Sequence, residues 1–524
     1  MYDILIQNAW IIDGTGAPAY PGDVAVKDGK LYLHSAGEAR EVLDAHGLTL
    51  CPGFIDVHSH GDRLLGTEAG RLCKSNQGIT TQLTGQCGST WFPISTDPEK
   101  RALLRQKEPG MPDCCTEFTT LEGFRRWGDA QPKTVNYAIY IGHSAIRIAV
   151  MGYENRKPTA AELETMKAMV REAMEHGAMG MSSGLIYPPS CYAQEDELVE
   201  LCRVVAEYGG VYATHMRNEA GQVLEAVREA ISVAERAGCR LDISHHKICG
   251  KDNWGKSEDT LRLIHEARER GVDVTFDVYP YTASCTNLNV CLPADFFANG
   301  PEKMVELLKD PAVRAQLKAR MEVMDGRLRH CGGWGGILIT EAPATPDAVN
   351  LTVQQYADKL GKDAFETYFD LMVENSCKGL AVYFSMGEED LQRIVLDENA
   401  AIGTDGMVRD LVTPTHPRGF ASFPKAIRCF VREKKLLSLE GMIHKMTGFP
   451  AQRFHLSGKG VIAEGCDADL VLFDPETITD RATYDDGLRL CDGIEWVMVG
   501  GEIVYQDHRL TGKTPGKFVP RQGV

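Results

Sequence analysis

The sequence predicts an α/β protein: a parallel sheet at the core, and a small antiparallel β unit made from both ends of the chain. Three observations carry this. Short apolar segments alternate with helical ones over ~380 central residues. Strict β–α alternation means a parallel sheet, either a closed (β/α)8 barrel or a doubly wound open sheet. Both terminal stretches instead alternate apolar and polar residues at period two, the pattern of half-buried strands. One central stretch, about 286–345, breaks the rhythm and reads as an insertion on a βα loop.

At the N-terminus the alternation runs through Ile4 and Ile6, then Val24 and Val26, then Leu31 and Leu33. Turn signals separate these runs, such as Asp13-Gly14-Thr15-Gly16 and Asp28-Gly29-Lys30. Strand candidates then follow at 54–57, 80–84, 135–141, 178–182, 211–214, 241–244, 272–279, 380–384 and 401–404. A barrel has eight places for these nine, so 380–384 is assigned as accessory. Helical periodicity marks 159–176, 196–208, 221–237 and 257–270, the first opened by the N-cap Thr159. The insertion holds a helix-like stretch at 301–321 and a run from Cys331 to Gly336. Gly332, Gly333, Gly335 and Gly336 give that run hinge freedom suited to a lid. No Lys-Ser/Thr follows, so it is not a phosphate loop. Strands resume at 468–473, 496–499 and 501–505. Neither terminal stretch buries a sheet well alone, so the two are expected to join.

Composition removes several function classes. Hydrophobic residues at 43% and charged residues at 25% are ordinary globular usage. The chain has 56 Lys+Arg against 73 Asp+Glu, a net charge of −17. Nucleic acid and anionic membranes need clustered positive charge, so neither is an expected partner. The start, MYDILIQNAW, lacks the basic and apolar regions of a signal peptide, and no apolar run nears the ~18 residues of a membrane span. Sixteen Cys without an export signal read as reduced thiols in the cytoplasm. There is no C-x-x-C pair. Nothing in the composition sets an oligomeric state.

Chemistry-bearing residues gather at strand ends. His58 and His60 follow the first central strand, Cys87 the second, His215 the strand 211–214, His245 the strand 241–244 and Asp405 the strand 401–404. In a (β/α)8 barrel these ends share one face, which carries the active site. Imidazole, thiolate and carboxylate together suit Zn²⁺. Alternate strand residues point to the same side, so both members of His58-Ser59-His60 can face the barrel axis. His246 neighbours His245, and alternation lets only one of them face the axis. His34, His176, His265 and His508 read as surface or packing residues.

Pro52-Gly53-Phe54-Ile55-Asp56-Val57-His58-Ser59-His60 resembles the opening metal motif of the amidohydrolase superfamily. Gly465-Cys466-Asp467-Ala468-Asp469-Leu470-Val471 resembles the return to its β-sandwich. Gly85-Gln86-Cys87-Gly88, Gly184-Leu185-Ile186-Tyr187-Pro188-Pro189, Thr214-His215-Met216-Arg217, Ser244-His245-His246-Lys247, Gly403-Thr404-Asp405-Gly406 and His416-Pro417-Arg418 are similar to its D-aminoacylase branch, the N-acyl-D-amino-acid deacylases. The resemblance implies a TIM-type (β/α)8 barrel at 55–455 with a lid inserted at about 286–345, and a β-sandwich from 1–54 and 456–524. It implies one tight zinc on Cys87, His215 and His245, and a second, weaker metal position on His58, His60 and Asp405. It chooses His245 over His246. It makes Asp405 the general base and then general acid, and it places Tyr187, Lys247 and Arg418 on the substrate carboxylate. The implied substrate is a small N-acylated D-amino acid. Departures from the branch are Gln86 for Asn, Thr404 for Ser, and a longer stretch between Asp405 and His416. The other enzyme weighed is a cyclic-amide hydrolase resembling dihydroorotase or hydantoinase. Many amidohydrolases bridge two metals with a carboxylated lysine on the fourth strand. Residues 178–182 hold no Lys, which counts against that alternative.

Overall fold

The structure, a computed structural model, describes all residues except 34–36, 109, 294, 297–299 and 523–524. His34, part of the insertion and the last two residues therefore lie outside the described residues.

Parallel strands form two ladders at the centre. One pairs Phe54–Asp56, Ile79–Thr84 and Asn136–Ile139. The other runs Ala400–Ile402, Val274–Val278, Arg240–Ile243, Val211–His215, Gly180–Gly184 and Ile141–Gly142. The run expected at 135–141 is thus two short strands flanking Tyr140, whose N–H donates to the Thr84 carbonyl (3.0 Å). At the opposite side the first and last of these strands meet just past their ends. Ser59 and Gly406 form a parallel bridge, and the Asp405 N–H donates to the His58 carbonyl (2.8 Å). The strands are buried on both faces, so polar residues within them need internal partners. Gln82 accepts from Ser59 Oγ (2.9 Å), and Thr84 Oγ1 donates to the Ala138 carbonyl (3.0 Å).

The helices between strands form close to where periodicity places them: Ala160–Glu175, Glu195–Glu207, Val223–Ala237 and Ser257–Glu269. Thr159 and Glu162 close a capping box on the first. The single helix expected at 301–321 is instead two, Gly300–Leu307 and Pro311–Val323. Pro311 cannot supply an interior helical N–H, and Asp310 caps the new start by accepting from Ala312 N (2.8 Å).

Leu380–Phe384 stands outside the parallel ladders. It pairs antiparallel with Ala283–Asn287 and Ile337–Glu341 in a separate three-stranded sheet. Around this sheet the inserted unit has its own apolar core, with Leu288, Met304, Leu317, Ile339, Tyr368 and Phe369 buried together. The unit therefore runs on to Phe384, past residue 345. Its later helices, Val353–Leu360 and Ala364–Glu374, have the same 3.6-residue periodicity as helices that flank a parallel sheet, so pattern alone assigns them to the wrong body.

The two ends of the chain join in one connected nine-stranded sheet. Its seam is Thr49–Pro52 paired antiparallel with Leu470–Phe473. Phe54, fully buried where this sheet meets the parallel strands, stacks on Phe423 (centroids 5.5 Å apart) and meets Phe473 edge-on (6.4 Å). Phe54→Ala should destabilise by about 3–5 kcal/mol, against about 0.5 or less for exposed Leu436→Ala, read by chemical denaturation. Among the described residues no helix is long and apolar enough to cross a membrane, and all 16 cysteines are unpaired.

Candidate active site

All six residues expected at strand ends lie at the C-terminal ends of parallel strands and come together in one buried cluster. Cys87 is at its centre. Its Sγ lies 3.4 Å from His245 Nε2, 3.5 Å from His58 Nε2 and 3.8 Å from His215 Nδ1. Asp405 Oδ1 lies 3.3 Å from His60 Nε2 and 3.6 Å from His58 Nε2. Three overlapping triads have ligand atoms close enough to share an ion: Cys87/His215/His245, His58/His60/Cys87 and His58/His245/Asp405. Cys87, His58 and His245 each belong to two of them, so the two expected positions share a border.

The local backbone bends to make this possible. Cys87, His245 and Asp405 have φ of 55°, 38° and 47°. Left-handed backbone at non-glycine residues is uncommon and gathers at functional sites. The Cys87 turn also lies directly over the Gly180–Gly184 strand. A Cβ on Gly184 would come within 2.3 Å of the Cys87 carbonyl oxygen, so only glycine fits there. His246, next to His245, turns away. Its Nε2 meets Thr260 Oγ1 (2.9 Å), and burial pushes its pKa down to about 4.

The charges are mutually supporting. Burial works against a thiolate at Cys87, but the His245 and His58 imidazoles outweigh it and hold the thiol well below its usual range. Burial also works against the Asp405 carboxylate, and Arg418, with Nη1 2.7 Å from Oδ2, more than compensates. Asp405 is therefore ionised. His58 is held on its far side by Asp277 (Nδ1–Oδ2 3.0 Å). His215 Nε2 and His60 Nδ1 are buried without a hydrogen-bond partner among the described residues.

Of the residues expected on the substrate, Lys247 and Arg418 flank one ring. The Lys247 ammonium lies 5.6 Å and the Arg418 guanidinium 4.6 Å from the Tyr279 centroid, and the Tyr279 hydroxyl is buried with no hydrogen-bond partner among the described residues. Lys247 Nζ sits between Glu219 Oε1 (2.6 Å) and His245 Nδ1 (2.7 Å). Arg418 Nη2 donates to the Cys285 carbonyl (3.0 Å), so the long stretch before His416 does not displace it from the site. Tyr187 lies against the His215 ring (5.1 Å), and its hydroxyl meets Thr286 Oγ1 (2.9 Å). Sequence reasoning missed Tyr279, Asp277, Glu219, Thr286 and Arg327. Asp277 carried a signal, an acidic residue inside the apolar run Val274–Val278, since a buried charge needs a partner. Tyr279, one residue past that strand, carried only its position. Glu219, Thr286 and Arg327 carried none.

The sequence model described as "Amidohydrolase family" matches residues 41–319 and 401–505. The chain belongs to the amidohydrolase family. The unmatched stretch 320–400 holds the later part of the inserted unit, whose earlier part, up to residue 319, lies within the match. An N-acyl-D-aspartate deacylase of Alcaligenes xylosoxydans xylosoxydans is 34% identical over 523 residues, covering 99% of this chain and 95% of its own. A D-aminoacylase of the same organism is 33% identical over 529 residues, covering 99% and 98%. The crystal structure of an N-acyl-D-glutamate deacylase from Bordetella bronchiseptica aligns over 99% of both chains with a TM-score of 0.83 and 34% identity. That protein was complexed with zinc and a phosphonate inhibitor, a mimic of the reaction's tetrahedral intermediate.

Proposed function

We propose that this amidohydrolase is a zinc-dependent N-acyl-D-amino-acid deacylase, cleaving the amide to a carboxylate and a free D-amino acid. The observation that carries the reading is the junction of two groups: a His/Cys/Asp cluster beside Lys247 and Arg418, whose cations both lie against the Tyr279 ring. Whole-chain likeness to deacylases of N-acyl-D-amino acids supports it. The same reading makes the two parallel ladders one (β/α)8 barrel with the inserted unit as its lid. The convergence of five strand ends in one cluster supports the barrel.

Zinc fits the donors present. They comprise a stabilised thiolate, imidazoles and a carboxylate, with His60 Nδ1 lacking a hydrogen-bond partner among the described residues. Cys87, His215 and His245 would hold the tight ion; His58, His60 and Asp405 would hold a weaker one. When bound, the ion would polarise the amide carbonyl and lower the pKa of water, so that hydroxide is available near neutral pH. The chain's own residues do the rest. Asp405, ionised and at the cluster's edge, takes a proton from the attacking water. It returns that proton to the nitrogen as the C–N bond breaks, because an amine leaves poorly unprotonated. The pairing with Arg418 keeps Asp405 a weak base. A substrate carboxylate drawing on Arg418 loosens the pairing and strengthens the base. Lys247 adds a point charge, and the free Tyr279 hydroxyl a hydrogen bond. Tyr187 lines the same mouth and is bonded to Thr286.

A panel of N-acetyl-D- and N-acetyl-L-amino acids, assayed with zinc, tests the reading. Turnover confined to the D series is expected; turnover of the L series alone, or of hydantoins alone when these are added to the panel, overturns it. Arg418→Ala should lower kcat/KM by about tenfold or more, the worth of a charge-assisted hydrogen bond. Capping the substrate carboxylate as an amide should cost the parent a similar factor but cost Arg418→Ala little more. Losses that simply multiply would mean that Arg418 and the carboxylate act independently.

A further inference from the structure

Glu219 is a buried carboxylate at the junction of three parts of the molecule. It follows the His215 strand end and shares its two oxygens between two cations. Oε1 accepts from Lys247 Nζ (2.6 Å) and lies 3.4 Å from His245 Nδ1 and 3.6 Å from His215 Nε2. Oε2 accepts from Arg327 Nη2 (3.1 Å). Arg327 opens the helix Arg327–His330 of the inserted unit. Its side chain is 12% exposed and that of Glu219 is 4% exposed, so this ion pair is shielded from water. The unit sits close here: a Cβ on Gly221 would come within 2.2 Å of Asp325 Oδ2. The unit's first strand is gripped nearby, Thr286 by Tyr187 and the Cys285 carbonyl by Arg418.

We propose that Glu219 is a positioning residue that joins the seating of the inserted unit to the carboxylate pocket. With the unit seated, Arg327 occupies Oε2 and takes up part of the carboxylate's charge. Lys247 is then held at Oε1 with ammonium protons left for the substrate. With the unit displaced, the whole charge of Glu219 falls on Lys247 and the two imidazoles, and Lys247 is drawn away from the substrate. A shielded carboxylate between two cations also removes the repulsion they would otherwise exert on each other. The inference rests on the reading above in one respect, that Lys247 holds the substrate carboxylate.

The test uses Glu219→Gln, Arg327→Gln and their combination in the full-length, zinc-loaded protein. Each single variant should raise KM for the N-acetyl-D-amino acid turned over fastest by about tenfold or more, with kcat changed by less than about threefold. In the Glu219→Gln background, Arg327→Gln should add less than about threefold, because the link is already cut. Arg327→Lys, which keeps a charge at the same place, should recover part of the loss. Losses that multiply, or that fall on kcat with KM unmoved, overturn the proposal. A second readout needs no turnover. Limited proteolysis should cut the inserted unit several-fold faster in either single variant than in the parent, at unchanged zinc content, and equal rates overturn the proposal. If Glu219→Gln does not fold, Arg327→Gln carries the same test from the other side. If the parent turns over no N-acetyl amino acid, the functional reading fails, while the proteolysis still decides the link between Glu219 and Arg327.

Discussion

Asp405→Asn is expected to lower kcat by about 10²–10⁴, the worth of a general base, or more if the same group protonates the leaving amine. The variant is chosen because it changes little else. Asp405 has φ of 47°, and Asn is one of the few residues that tolerate that backbone, whereas Ala would add strain. The loop is held by groups other than the carboxylate. The Asp405 N–H donates to the His58 carbonyl, and Thr404 is bonded through N and Oγ1 to Asp56 (2.8 and 2.7 Å). Lys74 in turn holds Asp56 (2.5 Å). Fold, and the tight ion proposed on Cys87, His215 and His245, should therefore survive, and the loss should fall on kcat. The measurements are steady-state kinetics beside metal analysis of the purified variant. A kcat within about threefold of the parent would mean that another group takes the proton.

The strand ends were legible because a parallel sheet converts sequence position into spatial position. His58, His60, Cys87, His215, His245 and Asp405 each follow a short apolar run, and the fold needs only to align those runs to bring them within a few ångströms. Residues that reach the site from side-chain length and loop path were not legible. Arg327 lies more than a hundred residues from Glu219 in the chain and arrives on a short helix of the inserted unit. Nothing in the periodicity of that helix points at a carboxylate beyond it. The insertion's extent failed for a related reason. Val353–Leu360 and Ala364–Glu374 present one apolar stripe each, and a stripe does not say which core it faces. Proline, by contrast, acts locally, so the break of 301–321 at Pro311 was available in the sequence and was overlooked. The choice of His245 over His246 sits between these cases. Alternation allows one of the two; the turn at φ 38° that aims His245 inward is made by the chain after the strand has ended.

Removing the thiolate should matter more to metal affinity than any other single change in the cluster. If Cys87, His215 and His245 hold the ion as proposed, the imidazoles would bind as neutral donors and Cys87 as the anion. A thiolate is also a soft, strong donor to zinc, so a hydroxyl at the same place loses both charge and bond strength. Cys87→Ser keeps the size and the turn between Gly85 and Gly88, which separates loss of the ligand from loss of the loop. The comparison is Asp277→Asn, which weakens only the support behind His58 (3.0 Å). Outer partners of a ligand are worth about 10–100-fold in metal affinity, and His58 lies outside the proposed tight triad, so Cys87→Ser should exceed about 100-fold while Asp277→Asn stays below about 10-fold. Competition against a chromophoric chelator measures both at one pH. On the proposed assignment the order follows, because Asp277 would act on the ion only through His58, outside the tight triad, whereas Cys87 lies within reach of all three imidazoles, His58, His215 and His245. A Cys87→Ser protein that keeps parental zinc affinity would move the tight ion to His58, His60 and Asp405, and with it the assignment of every group around Cys87.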